Sequence, residues 1–242
     1  MNWQAILGIT STLILFVPVI LMFIYDLHKY RGFLALFIYF LVTGIYNLTQ
    51  QNILPTPKTF NYYLGLTTNL LDAPLMLIFL CSFCTSTTMV NRIKYAIYGF
   101  LAYEIVMIAT RGMNVKAITA ILGPGIVVIL ILTFIFFLRQ IKLIVTFQKG
   151  LSKTLMIFSV MFAYMLYGLV YLFFYVLDTP DKTDTITMYY IASLLSTIIM
   201  SMGLFTENKR IKKINELRNT RKELASIYNQ PKTTVVLKSA GL

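Results

Sequence analysis

Two carboxylates lie inside long apolar runs of this chain. Asp72 sits in Asn69-Leu70-Leu71-Asp72-Ala73-Pro74, and Glu104 in Ala102-Tyr103-Glu104-Ile105. A charged side chain at the centre of a bilayer costs at least ~2.5–3.5 kcal/mol on insertion scales, so such residues face a protein interior rather than lipid. No Lys, Arg or His falls at mid-depth in any apolar run, so neither acid has an evident cation as partner. The chemistry open to the pair is the binding of a proton, a cation or a ligand ammonium. The alternative is a carboxyl hydrogen-bonded between helices with no ligand. Asn69 one turn before Asp72 and Pro74 just after it favour a functional site there. A proline inside a membrane helix frees a backbone carbonyl, which needs a polar partner or water.

Other polar residues could join these acids. Asn47, Gln50 and Gln51 lie toward the end of one apolar run, and Thr67, Thr68 and Asn69 precede Asp72 in the next. Tyr103, Tyr164 and Tyr167 add hydroxyls. The candidate ligand or ion site is therefore Asp72, Glu104, Asn69, Thr68, Asn47, Tyr103 and Tyr164. Ser193, Ser196, Thr197 and Ser201 recur at helical spacing and read as small residues for close helix packing. Many Tyr and Phe residues near the ends of apolar runs read as an interfacial belt. Pro18, Pro74 and the Gly123-Pro124-Gly125 element allow kinks, and the Gly-Pro-Gly element is the strongest hinge candidate.

Catalysis finds no support in the residues. There is one histidine, His28, few acids, and no nucleophile–base pair, phosphate loop or zinc-protease motif. Cys81 and Cys84 are too few for a disulfide framework and lie far from His28, so they read as small buried side chains rather than metal ligands. No enzyme activity, metal or cofactor is expected.

The elements that must position the acids follow from composition. The 242 residues are 58% hydrophobic and only 12% charged, and the mean hydropathy is +0.75. Soluble domains carry about 25% charged residues, so lipid is the solvent for most of this chain. The first apolar run is longer than the core of a signal peptide and lacks a basic leader, so it reads as a retained helix. Apolar segments fall at 3–25, 33–53, 62–84, 95–110, 117–138, 155–177 and 185–205. Each is near the ~20 residues needed to cross a bilayer, and the fourth is the shortest. The expected fold is all-α, a polytopic bundle of seven transmembrane helices over 1–206.

The charge of +12 suggests nucleic acid until its distribution is read. Seventeen Lys and Arg residues fall in the first, third and fifth connections and after the seventh segment, and four fall on the other side: Lys58, Arg111, Lys116 and Lys182. That asymmetry is the positive-inside signature. It puts the N-terminus outside and the C-terminus in the cytoplasm of a cell-membrane protein, and it argues against a nucleic-acid partner. The stretch 207–230 reads as a basic amphipathic helix. Ile211, Ile214, Leu217, Leu224 and Ile227 form a rough apolar stripe, and Lys209, Arg210, Lys212 and Lys213 are placed to meet anionic inner-leaflet lipids. The remainder, 231–242, reads as a disordered tail.

Seven helices in this length, N-terminus out, resemble the microbial rhodopsin layout. Asp72-Ala-Pro74-Leu-Met-Leu77 is similar to the Thr-x-Pro-Leu-x-Leu segment of the rhodopsin third helix, with Asp72 in the threonine place and Thr68 in that of the counter-ion aspartate. Ala163-Tyr164 resembles an Ala-Tyr pair in the sixth helix. Rhodopsins hold retinal through a lysine in the seventh helix, and this chain has none between Thr185 and Glu207. The arginine before the counter-ion is absent too. The resemblance therefore implies a rhodopsin-like bundle without chromophore. The layout is also similar to SWEET-type sugar transporters, in which two three-helix repeats flank a linker helix; Pro18 and Pro124 would then correspond, but the Pro-Gln loop signature is missing. Three functions remain: a receptor or sensor for a small ligand or ion, a secondary transporter using the midplane carboxylates, and a membrane scaffold or complex subunit.

Overall fold

Pro18 shows how the chain builds its helices. With no N–H to give the carbonyl of Ile14, it splits the first apolar run into α1 (Trp3–Ile14) and α2 (Phe16–Ile24). The joint is a dent, not a loop: Leu15 keeps helical angles and bonds back to Ser11 at 3.2 Å. The computed structural model describes residues 3–84, 86–147, 150–177 and 182–228. The other helices are α3 (Arg31–Gln50), α4 (Lys58–Cys81), α5 (Thr87–Arg111), α6 (Val115–Phe147), α7 (Leu151–Tyr171) and α8 (Lys182–Tyr228). Among the described residues there is no strand. Seven helical spans, counting α1 and α2 together, are long and apolar enough to cross a membrane. The chain is an all-helical, multi-pass membrane protein.

Several helices outrun their apolar segments. α5 starts at Thr87, eight residues before the expected point, after an extended Ser86 (φ −103°, ψ 134°). Thr87, Thr88, Asn91, Arg92 and Lys94 read as loop because they are polar. Polarity at a membrane surface does not oppose the helix, whose backbone satisfies itself. The resulting 25 residues rise roughly 37 Å at 1.5 Å each, enough for a ~30 Å hydrocarbon core. α6 likewise runs past the expected 138 to Phe147, and α8 is helical over 47 residues. α7 ends in a wide π turn, Leu172–Val176.

The chain divides into two compact units, 1–207 and 208–242. In the first, α3 packs on α4, α4 on α6, and α6 on α7. Hydrogen bonds close the circle. Ser159 of α7 donates to the Ser196 carbonyl of α8 at 2.6 Å, and Gln4 of α1 donates to Thr187 of α8 at 3.2 Å. Gln51, just after α3, donates to the Tyr190 hydroxyl at 2.7 Å. Gly203 lets α8 approach α7 closely: a Cβ there would stand 2.6 Å from Met156 Cγ and 3.1 Å from the Met156 backbone nitrogen. Near the same end, Ser152 of α7 donates to the buried Glu207 carboxylate. α5 lies outside the circle, against α4 and α6. Only 22% of its spanning window is buried, against 50% for α4.

The two halves of the bundle differ. Because successive spans alternate in direction, the ends of α2, α4 and α6 and the starts of α3 and α7 share one face. Near it Met22, Leu36, Leu77, Phe79, Leu80, Phe136, Met156 and Ile157 are fully buried. The opposite half contains a cavity. Outward faces carry exposed apolar side chains such as Phe23, Ile105, Ile131 and Met202, as lipid contact requires. In the second unit the described residues, 208–228, are helical; Lys209, Arg210, Lys212 and Lys213 are exposed, and so are Ile214 and Leu217. The tail 231–242 lies outside the described residues.

Candidate functional site

Asp72 lies 14 residues into α4, roughly 21 Å from its start and so near mid-depth. It lines a cavity of about 210 Å³. α3 contributes Tyr39, Thr43 and Tyr46; α4 Thr68, Asn69 and Asp72; α6 Leu122 and Ile126; α7 Tyr164, Tyr167, Val170 and Tyr171; the π turn Tyr175; and α8 Tyr189. Seven of these are tyrosines, and among the described lining residues Asp72 alone is charged. From Asp72 the cavity extends toward the face shared by the ends of α3 and α7 and the starts of α4 and α8.

The carboxylate is held from two sides. The Tyr164 hydroxyl donates to Asp72 Oδ1 at 2.8 Å, and Tyr39 is within hydrogen-bonding reach. Tyr164 is itself fully buried, so its aim is fixed by packing. Four of the five remaining lining tyrosines also stand near polar partners. Tyr171 donates to the Thr119 carbonyl at 3.1 Å, Tyr46 accepts from Gln50 at 2.9 Å, Tyr167 is in reach of Ser193, and Tyr189 of Asn47. Their rings form much of the cavity wall. Tyr167 stacks on Tyr189 with centroids 5.4 Å apart, and Tyr164 meets Tyr167 at 5.9 Å. Thr68 and Asn69 donate back along their own helix, to Leu64 and Gly65, at 2.8 and 2.9 Å. Asn69 Oδ1 is left as an acceptor.

The expected site residues part into two groups. Asp72, Asn69, Thr68 and Tyr164 meet at the cavity, and Asn47 stands behind Tyr189, buried. Glu104 and Tyr103 do not line it, because α5 lies outside the circle. Glu104 is near enough to Asp72 for the carboxyl groups to interact electrostatically, yet it is buried and its Oε1 has no hydrogen-bond partner. Tyr103 has a different task. Pro124 cannot donate to the carbonyl of Ala120, and the Tyr103 hydroxyl donates to it instead at 3.0 Å.

The Gly123-Pro124-Gly125 element is a point of close approach. A Cβ at Gly123 would stand 2.8 Å from the Tyr171 hydroxyl, and one at Gly125 would stand 3.1 Å from Phe100 and 3.2 Å from Ala73. α6 therefore sits tight against α4, α5 and α7 there. Pro74 is buried within α4, two residues past Asp72.

Tyr39, Tyr46, Tyr171, Tyr175 and Tyr189 are lining residues that the sequence reading does not place at the site, whereas it names Tyr164 and Tyr167 for their hydroxyls. Tyr164, Tyr167, Tyr171 and Tyr175 recur at intervals of three and four, the spacing of one helix face. Tyr39, Thr43 and Tyr46 do the same. An interfacial belt would put its aromatics near helix ends with no preference for one face. Among the described residues no three His, Cys, Asp or Glu side chains converge as a metal site would need. The chain matches no known family, no curated protein and no solved structure.

Tyr103→Phe leaves the Ala120 carbonyl without its donor. An unsatisfied buried polar group costs about 1–3 kcal/mol, so the variant is expected to melt earlier than the wild type in detergent. Tyr62→Phe, at an exposed position, is the control and is expected to melt as wild type does.

Proposed function

We propose that this membrane protein is a receptor or sensor that takes a small ligand into the cavity at Asp72. The observation that carries this reading is the single carboxylate held by Tyr164 and Tyr39 at the inner end of a tyrosine-lined cavity. A carboxylate kept at mid-depth is expensive, and a purely structural acid has no use for an adjoining cavity. Between this cavity and the opposite face stand the fully buried Met22, Leu36, Leu77, Phe136 and Met156, which suits binding from one side better than passage through. α8 contributes Tyr189 to the cavity and is the helix that also bears Lys209, Arg210, Lys212 and Lys213. Ligand-dependent movement of this helix is the proposed output, with the basic stretch resting on anionic inner-leaflet lipids. The orientation is the one the charge asymmetry indicates, N-terminus outside and C-terminus in the cytoplasm of the cell membrane. The plan is that of a rhodopsin-like bundle without chromophore, and no catalytic role is assigned.

One observation favours a carrier instead. Asp72 is at mid-depth, next to Pro74 and across from the Gly123-Pro124-Gly125 helix, and the midplane is where transporters bind substrate. Asp72→Asn separates the two readings in cells. With normal surface expression, a lost downstream response and unchanged uptake is the expected result; lost uptake makes the protein a carrier; wild-type behaviour in both assays removes both. For orientation, a tag placed after Leu242 is expected to be reached by antibody only after the cells are permeabilised, and labelling of intact cells would reverse the assignment.

A further inference from the structure

The lining of the cavity specifies the charge of what it can hold. Among the described lining residues no Lys, Arg or His balances Asp72. Its Oδ1 accepts from Tyr164, with Tyr39 nearby, but hydroxyl donors leave a formal charge uncompensated. Two of the other polar side chains, Asn69 and Thr68, are left as acceptors. Asn69 has committed its amide donor to Gly65, and Thr68 its hydroxyl proton to Leu64. An anion would meet the Asp72 carboxylate unfavourably.

The aromatic lining narrows the choice further. Seven tyrosines line the cavity and give it aromatic walls, and Tyr171 has committed its hydroxyl to the Thr119 carbonyl. Ring faces attract cations through their quadrupole, and organic ammonium groups exploit this best. A bare inorganic ion wants several oxygens at short range instead. Size points the same way. The cavity, about 210 Å³, far exceeds the ~10–15 Å³ that one water needs. It falls below the ~300–1,000 Å³ typical of pockets for drug-sized molecules.

Resting on the reading of this cavity as a ligand site, we infer that its occupant is a small organic ammonium. The cationic nitrogen sits at Asp72 with its N–H groups toward the carboxylate and Asn69 Oδ1, and the carbon body lies among the tyrosine rings.

The test uses the full chain in maltoside micelles, which carry no amine of their own. Phenethylammonium, the neutral 2-phenylethanol and the anionic phenylacetate have similar bodies and differ in charge. Binding of each is measured by titration calorimetry. Phenethylammonium is expected to bind at least tenfold more tightly than 2-phenylethanol, and phenylacetate more weakly still. Asp72→Asn is expected to remove that preference while leaving the affinity for 2-phenylethanol within about threefold, a comparison that also shows the variant is folded. Thr43→Phe, which fills the cavity, is expected to weaken all binding. If the alcohol or the acid binds as tightly as the amine and Thr43→Phe abolishes it, the cavity remains a ligand site and the ammonium inference is overturned. If no probe binds, or Thr43→Phe changes nothing, both fall.

Discussion

In a hydrocarbon solvent every polar group of the chain must find its partner within the chain, and between helices this bundle often meets that demand with tyrosine. A phenol combines an apolar ring with one hydroxyl, so it can line a wall and still satisfy a polar atom. Tyr164 serves the Asp72 carboxylate and Tyr103 the carbonyl left open by Pro124. Tyr190 takes the Gln51 amide where α3 meets α8. Glu104 is the exception, a buried carboxyl with one oxygen unpaired. Its place on α5, outside the circle of helices, separates it from the cavity that Asp72 lines.

The demand for internal partners also accounts for the unequal halves of the bundle. Where the chain offers Leu, Ile, Phe and Met, as around Leu77 and Met156, side chains interdigitate. Where it offers Asp72, Asn69 and Thr68 facing Tyr39 and Tyr167, the rings stand around the carboxylate and leave room. α8 belongs to both regions, since Tyr189 lines the cavity while Leu204 is buried and Gly203 abuts Met156.

Much of this was legible in the sequence. The seven spans follow from apolar length alone, and Asp72 stands out because a carboxylate in an apolar run is costly. Helix ends were less legible: α5 begins among Thr and Asn residues whose polarity resembles a loop, yet a helix can emerge into water without breaking. The cavity was half legible. Asp72, Asn69 and Thr68 share a face by spacing, and Tyr164 was a candidate for its hydroxyl. Tyr167 was another, while the remaining lining tyrosines read as a belt because ring content alone does not tell inward from outward. Their three-and-four spacing along α7 does. That α5 falls outside the circle, taking Glu104 with it, depends on the packing of α4 directly on α6, which no local pattern encodes.

The central claim is that a polar cavity reaches Asp72 from one side of the bundle. Cysteine accessibility tests it most directly. In a chain with Cys81 and Cys84 replaced by alanine, Thr43→Cys puts a thiol on the cavity wall and Ile131→Cys puts one on the exposed apolar face of α6. Aminoethyl methanethiosulfonate, a small cationic reagent, is predicted to modify the first from the side of the chain's N-terminus and to leave the second unmodified in lipid bilayers. Equal protection of both thiols, with a loop cysteine labelled under the same conditions, would contradict the account.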